Sequence, residues 1–158
     1  MRVLLDSNAV DPMADLPGAF EALERGVNDG ALEILFTHVT VDELALVPDP
    51  DRRSHLLVLL IALGRLVPTG VCVADYSRVN FARISTDEVH AVWDVLRSAS
   101  ITHTRDAMIA GTAVFERCAL VTNDRRLTGR ARACGVEVLS TTDLLAEFGF
   151  SAGQERSA

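Results

Sequence analysis

Short apolar segments alternate along this chain with longer stretches of helical periodicity. The segments typical of buried strands are RVLLD, ALEILFT, VCVAD, ALVT and VEVLS. Strands separated by helices pair in parallel and are covered by helices on both faces of the sheet. The alternation therefore predicts an α/β fold with a mainly parallel central sheet of about five strands.

Helical spacing of apolar residues and capping signals predict the helices between these strands. They are expected over residues 17–28, 40–47, 52–66, 86–98, 104–117, 125–133 and 141–148. A Pro-Asp-Pro-Asp stretch at 48–51 is expected to be a loop between two helices. Residues 1–148 are predicted to form one domain, followed by a polar, frayed tail over 149–158.

The composition is that of a globular protein outside the membrane. The chain has 158 residues, of which 49% are hydrophobic. Its apolar runs are shorter than the roughly 18 residues that a membrane-spanning helix needs. Asp6 interrupts the first apolar run, which argues against a signal peptide. The 3 cysteines form no paired motif, as expected of free thiols in a reducing cytoplasm.

The formal net charge is −7, which argues weakly against non-specific coating of nucleic acid. All 15 basic residues are Arg; the codon bias of a GC-rich genome would explain this. The absence of Lys argues against receiver domains and haloacid-dehalogenase-like phosphatases, which rely on an active-site lysine. It also excludes a Walker-type phosphate loop. The absence of a Gly-rich turn after the first strand argues against a dinucleotide-binding domain.

Four acidic residues occupy similar local settings far apart in the sequence. Asp6 and Asp124 follow apolar strands, whereas Glu43 and Asp106 lie in the first turns of predicted helices. In open parallel sheets, ligands bind beyond the carboxyl ends of the strands. A pocket of carboxylates without His or Cys is the ligand set of a hard divalent cation.

Each acid also has an ordinary structural explanation. Asp6 could cap a helix after the first strand. Glu43 and Asp106 could serve the dipoles of their helices, and Asp124 could belong to an Asn-Asp turn. None of the four is decisive by itself, so the prediction of a site depends on their joint occurrence.

Five segments carry a resemblance to a known family: VLLDSN, TVDELAL, RDAMIAGTAV, LVTNDRRL and GVEVLSTTDLL. Over nearly its full length, the chain resembles the PIN-domain nucleases. The resemblance implies a three-layer α/β/α sandwich in which Mg²⁺ or Mn²⁺ supports hydrolysis of phosphodiester bonds, usually in RNA. Many small members are VapC-type toxins that a partner antitoxin neutralises, and the family also suggests homodimers.

The resemblance implies a role for each acid. Asp6 and Asp106 would be direct or water-mediated metal ligands, Asp124 would complete the site, and Glu43 would be the general base. Crowding of these carboxylates without metal should raise the pKa of at least one. Short polar residues near the acids are expected to orient them or to hold a water: Asn8, Thr122 and Asn123.

Arginines beside the acids are candidate contacts to RNA phosphates. The first candidates are Arg105, Arg125 and Arg126, with Arg130 and Arg132 further along the same helix. Ordinary ion pairs on a solvated helix face explain them equally well.

Two alternatives remain open. An inactive PIN-like module that only binds RNA or protein is the non-enzymatic alternative. The chain is also longer than many compact toxins of the family. This surplus, around 67–86 and after the first motif, weakens the assignment as a toxin more than the assignment as a nuclease.

Overall fold

The computed structural model describes residues 1–97 and 103–150. Its strands are β1 (Arg2–Leu5), β2 (Glu33–Phe36), β3 (Gly64–Leu66), β4 (Ala119–Val121) and β5 (Val138–Leu139). Its helices are α1 (Ser7–Asp15), α2 (Ala19–Asn28), α3 (His38–Leu44), α4 (Pro50–Leu63), α5 (Asp87–Arg97), α6 (Thr104–Glu116), α7 (Arg125–Ala133) and α8 (Thr141–Glu147).

The strands form one parallel sheet in the order β3-β2-β1-β4-β5. Val3 in the central strand is in register with Ile34 on one side and Ala119 on the other. The chain adds strands on one side of β1 and then returns to the other side. Between β1 and β4 the strand order reverses, which is where open α/β sheets form their binding crevices.

Alternating side chains of β1 separate the two apolar cores. Val3 and Leu5 pack in a cluster with residues of α1, α2, α4 and α8. Leu4 packs in a second cluster with residues of α5, α6 and α7. Helices therefore cover both faces of the sheet, and the predicted three-layer α/β/α fold is confirmed.

The third strand is not the predicted one. The segment VCVAD over 71–75 is irregular, and β3 instead follows directly after α4, inside the range predicted as helix 52–66. Gly64 ends α4 in an extended conformation, and a Cβ there would lie 2.8 Å from Cδ1 of Phe36. The chain needs glycine at this point because β3 begins in close contact with the Phe36 side chain of β2, to which it runs parallel.

Helix α1 was not predicted, because Pro12 stands inside it. Proline lacks the N–H that would bond to the carbonyl of Asn8 one turn earlier. That carbonyl instead accepts a hydrogen bond from the side chain of Asn123, at 3.1 Å. Burial of Ala9, Val10 and Met13 holds the helix against the core.

Packing continues to Phe150, which lies against the first core. Residues 151–158 of the predicted tail, and Ser98 at the end of a predicted helix, lie outside the described residues. In the part of the chain that is described, no helix has the length and apolar character needed to span a membrane.

Candidate active site

Asp6 lies directly beyond β1 and is only 5% exposed. Its backbone N–H donates to the carbonyl of Val121 in β4, at 3.0 Å. Its side chain accepts a hydrogen bond from the backbone N–H of Ser7, at 2.8 Å, and so caps α1. The carboxylate is therefore a helix cap and also stands at the switch point of the sheet.

Neutral polar groups hold the other oxygen of Asp6. The side-chain amide of Asn8 donates to Oδ2 at 2.7 Å, and the Thr122 hydroxyl donates to it at 2.8 Å. The backbone N–H of Asn123 donates to Oδ1 of Asn8, also at 2.7 Å. The three supporting residues named from the sequence thus meet around this one carboxylate.

Asn123 connects the site to the last helix. Its side-chain Nδ2 donates to the hydroxyl of Thr141 at 2.8 Å, and its side-chain Oδ1 accepts from the backbone N–H of Thr141 at 3.1 Å. Together with its bond to Asn8, this clamps α1 and α8 onto the end of β4. The position of Asn8 beside Asp6 is therefore fixed from two sides.

Glu43 reaches the site from α3. It accepts a hydrogen bond from the Ser7 hydroxyl at 2.6 Å, and Arg105 lies 3.9 Å away. The neighbouring Asp42 instead forms an ion pair with Arg78. Only one of the two adjacent acids faces the site, as helix geometry requires.

Asp106 lies in the first turn of α6 and is held by a cation. Arg130 Nη2 of α7 lies 2.7 Å from Asp106 Oδ2, and His103 Nδ1 lies 3.6 Å from the same oxygen. The sequence pattern offered Arg130 only as a phosphate contact or a solvated residue. Its pairing with Asp106 joins positions 24 apart on different helices, and no local motif marks it.

Three of the four acids influence one another electrostatically. Burial, with smaller contributions from the charges of Glu43 and Asp106, raises the pKa of Asp6 to about 6. Burial also raises the pKa of Glu43, with the charges of Asp106 and Asp42 adding to it. The expected rise is therefore present, although its first cause is loss of solvent rather than crowding of like charges.

Asp124 stands somewhat apart from these three charges. Its Oδ1 accepts from the backbone N–H groups of Arg126 and Leu127, at 2.6 and 3.1 Å, and so caps α7. Its own N–H donates to the Thr122 hydroxyl at 3.1 Å. Asp124 is not among the main causes that shift the pKa of Asp6 or of Glu43. Its link to the site runs through Thr122.

The donors match a hard divalent cation in chemistry, since all of them are carboxylate oxygens. Within residues 1–97 and 103–150, however, no three His, Cys, Asp or Glu side chains are grouped so that they could hold one ion. Asp106 is engaged by Arg130 and Glu43 by Ser7. These side chains would have to move toward one another to share a cation.

A cleft of about 490 Å³ opens beside Glu43, between α1, α3 and α4. Its polar wall includes Ser7, Asn8 and the ion pairs that Arg52 forms with Asp11 and Asp15. Among the candidate phosphate contacts, Arg125 and Arg126 are exposed on the first turn of α7, and Arg105 is partly buried beside Glu43.

The sheet order and the two helical layers form the three-layer α/β/α fold that the sequence resemblance implied. Three solved structures share this fold. VapBC2 from Rickettsia felis, bound to a DNA fragment from its promoter, is 14% identical with a TM-score of 0.56, covering 89% of this chain and 98% of its own. PAE2754 from Pyrobaculum aerophilum is 19% identical with a TM-score of 0.57, covering 94% and 98%. VapBC-1 from nontypeable Haemophilus influenzae is 12% identical with a TM-score of 0.55, covering 90% and 99%.

No family model matches the sequence. No curated protein is significantly similar to it. At these identities the solved structures establish the fold, and the chemistry has to be argued from the residues of the chain.

Proposed function

We propose that the chain is a divalent-metal-dependent ribonuclease that hydrolyses phosphodiester bonds in RNA. The observation that carries this proposal is the setting of Asp6. It is a buried carboxylate whose hydrogen-bond partners are neutral groups, and Glu43 and Asp106 add negative charge nearby. A bound cation would offset both the lost solvation and the repulsion.

Asp6 and Asp106 would hold Mg²⁺ or Mn²⁺, with Glu43 beside them and Asp124 completing the site from β4. When bound, such a cation neutralises phosphoryl charge and makes water a better nucleophile at neutral pH. Asn8 and Thr122 would keep the Asp6 carboxylate in one orientation, since both donate to the same oxygen.

Glu43 is the residue proposed to take a proton from the attacking water. Burial raises its pKa toward the working pH, which suits a general base. The Ser7 hydroxyl at 2.6 Å fixes its orientation. Arg125, Arg126 and Arg105 are proposed to bind substrate phosphates, because a chain of net charge −7 needs local positive charge to hold a polyanion.

The proposal extends to a toxin paired with a protein antitoxin, and to a homodimer in the cytoplasm. Two of the similar structures are of VapBC proteins, one of them bound to promoter DNA, and the sequence resemblance implies such a pair. An adjacent small reading frame for a DNA-binding protein would support the pairing. Expression of this chain alone should then arrest growth, and co-expression of the neighbour should relieve the arrest.

Cleavage of single-stranded RNA by the purified chain tests the activity. Mg²⁺ or Mn²⁺ should support cleavage and a chelator should abolish it. Asp6→Asn and Asp106→Asn should each lower the rate by more than about a hundredfold, because each removes a ligand charge. Asp94→Asn, on the exposed side of α5, is the matched control and should cleave normally. Equal cleavage by all variants would indicate a contaminating nuclease and contradict the proposal.

A further inference from the structure

Arg130 and Asp106 form an ion pair inside the candidate active site. Arg130 Nη2 lies 2.7 Å from Asp106 Oδ2, and the two side chains are 24% and 30% exposed. Arg130 Nε donates to the backbone carbonyl of Arg126 at 3.4 Å, which keeps the guanidinium close to α7. The pair thus joins the first turn of α6 to the second turn of α7.

The partner of Asp106 differs in kind from the partners of Asp6. Asp6 is held by an N–H, an amide and a hydroxyl, all neutral, whereas Asp106 is held by a permanent cation, since arginine stays protonated in proteins. A guanidinium at 2.7 Å occupies a carboxylate oxygen that a divalent ion would need. Its positive charge also repels a second cation.

Within the described residues the acids do not form a ready ligand group, and Asp106 is paired with Arg130. One of the three interacting acids already carries its counter-charge. We propose that Arg130 is an internal counter-ion of Asp106 that competes with the divalent cation, so that the guanidinium must leave Asp106 when the cation binds. This inference rests on the proposed function, because it takes the cation site from there.

The fold allows this exchange without moving α7. Asp124 caps the helix at its first turn, and Leu127 and Ala131 anchor it in the core. The displaced element is therefore the Arg130 side chain alone, which is already partly exposed and can turn into solvent. The ion pair is of the partly exposed kind, whose strength is modest enough for a divalent ion to overcome.

Arg132 provides a matched control on the same helix. Its Nη2 donates to the backbone carbonyl of Val138 at 2.8 Å, so it also makes a tertiary contact with its guanidinium. It touches none of the four acids in the described structure. Each of the variants Arg130→Gln and Arg132→Gln therefore removes one positive charge and one tertiary hydrogen bond. Only Arg130→Gln removes the guanidinium that competes with the cation for Asp106.

The first measurement is Mn²⁺ binding to the full chain by titration calorimetry. Arg130→Gln should bind Mn²⁺ about three- to tenfold more tightly than the wild type, the range expected for loss of a partly exposed ion pair. Arg132→Gln should match the wild type, and Asp106→Asn should bind more weakly. The inference would be overturned if Arg130→Gln bound Mn²⁺ no more tightly than the wild type. The proposed function would still stand in that case if the wild type bound Mn²⁺ and Asp106→Asn bound it more weakly.

The second measurement follows Arg130 in the unaltered protein. Phenylglyoxal labelling, read by mass spectrometry, should modify Arg130 faster in saturating Mn²⁺ than in chelator, and Arg132 at the same rate in both. Equal or slower labelling of Arg130 in Mn²⁺ would contradict its release.

Two further outcomes of the calorimetry are informative. Mn²⁺ binding by Arg130→Gln but not by the wild type would support the inference. Absence of binding in both would overturn the inference and the proposed function together.

Discussion

Thr122 donates its hydroxyl to the carboxylate of Asp6 across 2.8 Å, which joins the ends of two neighbouring parallel strands. Both residues are buried, at 2% and 5% exposure. The same hydroxyl oxygen accepts the N–H of Asp124. The Thr122 side chain thus connects Asp6, which follows β1, with Asp124, which follows β4.

Thr122→Val should therefore weaken both the fold and the site. Loss of a buried hydrogen bond to a charged group should lower the free energy of unfolding by about 2 kcal/mol. It should also weaken Mn²⁺ binding by about tenfold, as removal of an orienting partner does. Urea denaturation and calorimetry measure the two effects.

Thr112→Val is the control for that prediction. Thr112 is fully buried, donates to Met108 O at 2.7 Å and accepts from the Gly70 N–H at 3.0 Å, away from the acids. Its loss should lower stability by a similar amount and leave Mn²⁺ affinity unchanged. Equal affinities in both variants would show that the Thr122 hydroxyl does not orient Asp6.

Asp6 should make the metal-free protein less stable as the pH rises. Its pKa is about 6 in the folded chain against an ordinary 3.8, so the native state binds the proton more tightly than the unfolded state. The stabilisation is complete below about pH 4 and is lost as the pH rises through about 6, by up to roughly 3 kcal/mol. Asp6→Asn does not titrate. In chelator, the stability of Asp6→Asn relative to the wild type should therefore increase as the pH rises from about 4 to about 7. A difference in unfolding free energy that stays constant over this range would contradict the prediction.

Asp124 should act on stability mainly as a cap. Asp124→Ala removes the acceptor for the N–H groups of Arg126 and Leu127 and should lower the free energy of unfolding by about 1 kcal/mol. Asp124→Asn should keep most of that stability, because asparagine caps well. Its Mn²⁺ affinity should fall less than that of Asp106→Asn, since an oxygen of Asp124 is already engaged in capping α7. Equal losses of affinity would place Asp124 among the main ligands.

Glu116 should stabilise the fold from the opposite end of α6. It is 8% exposed and pairs with Arg2 and Arg83. Glu116→Gln should lower the unfolding free energy by roughly 2–4 kcal/mol, because two cations lose a buried partner. Glu33→Gln, which removes a half-exposed acid that also pairs with Arg2, should change stability by less than about 1 kcal/mol. Equal effects in urea denaturation would count against the role of burial.

Gly70 should tolerate no side chain. A Cβ there would lie 2.9 Å from Gly111 O and 2.9 Å from Phe115 Cβ, so α6 would have to move. Gly70→Ala should lower the unfolding free energy by at least about 2 kcal/mol. Gly129→Ala is the control: its Cβ meets nothing within 4 Å on α7, and alanine there should add about 0.5–1 kcal/mol. Stability unchanged by Gly70→Ala would show that the close approach is not rigid.

The layered fold could be predicted because its signals are local. Apolar runs, caps and breaks in periodicity fixed most helices to within a few residues, and helix 125–133 was placed with its observed ends. The strand ends also located Asp6 and Asp124, since parallel strands bring their carboxyl ends to one edge. Asp106 lies in the first turn of α6, as predicted. Glu43 was also predicted in a first turn, but α3 begins earlier, at His38, so Glu43 lies next to the last residue of that helix.

Other features depend on contacts that no local pattern encodes. Strand β3 forms because Gly64 lets the chain approach Phe36. The helical spacing of the Leu-rich run predicted that the helix would continue to residue 66, but α4 ends at Leu63. Helix α1 survives Pro12 because Asn123, far along the chain, satisfies the carbonyl that proline leaves open. The pairing of Arg130 with Asp106 depends likewise on how two helices cross.

The bond between Asp6 and Thr122 spans 116 positions of sequence. A ribosome adding about 5–20 residues per second needs roughly 6–23 seconds to supply the second partner after the first. Until then Asp6 lacks β4 and Thr122 beside it. On the proposed function, the nascent chain would be harmless to the message that encodes it until Thr122 and the residues around it have been added.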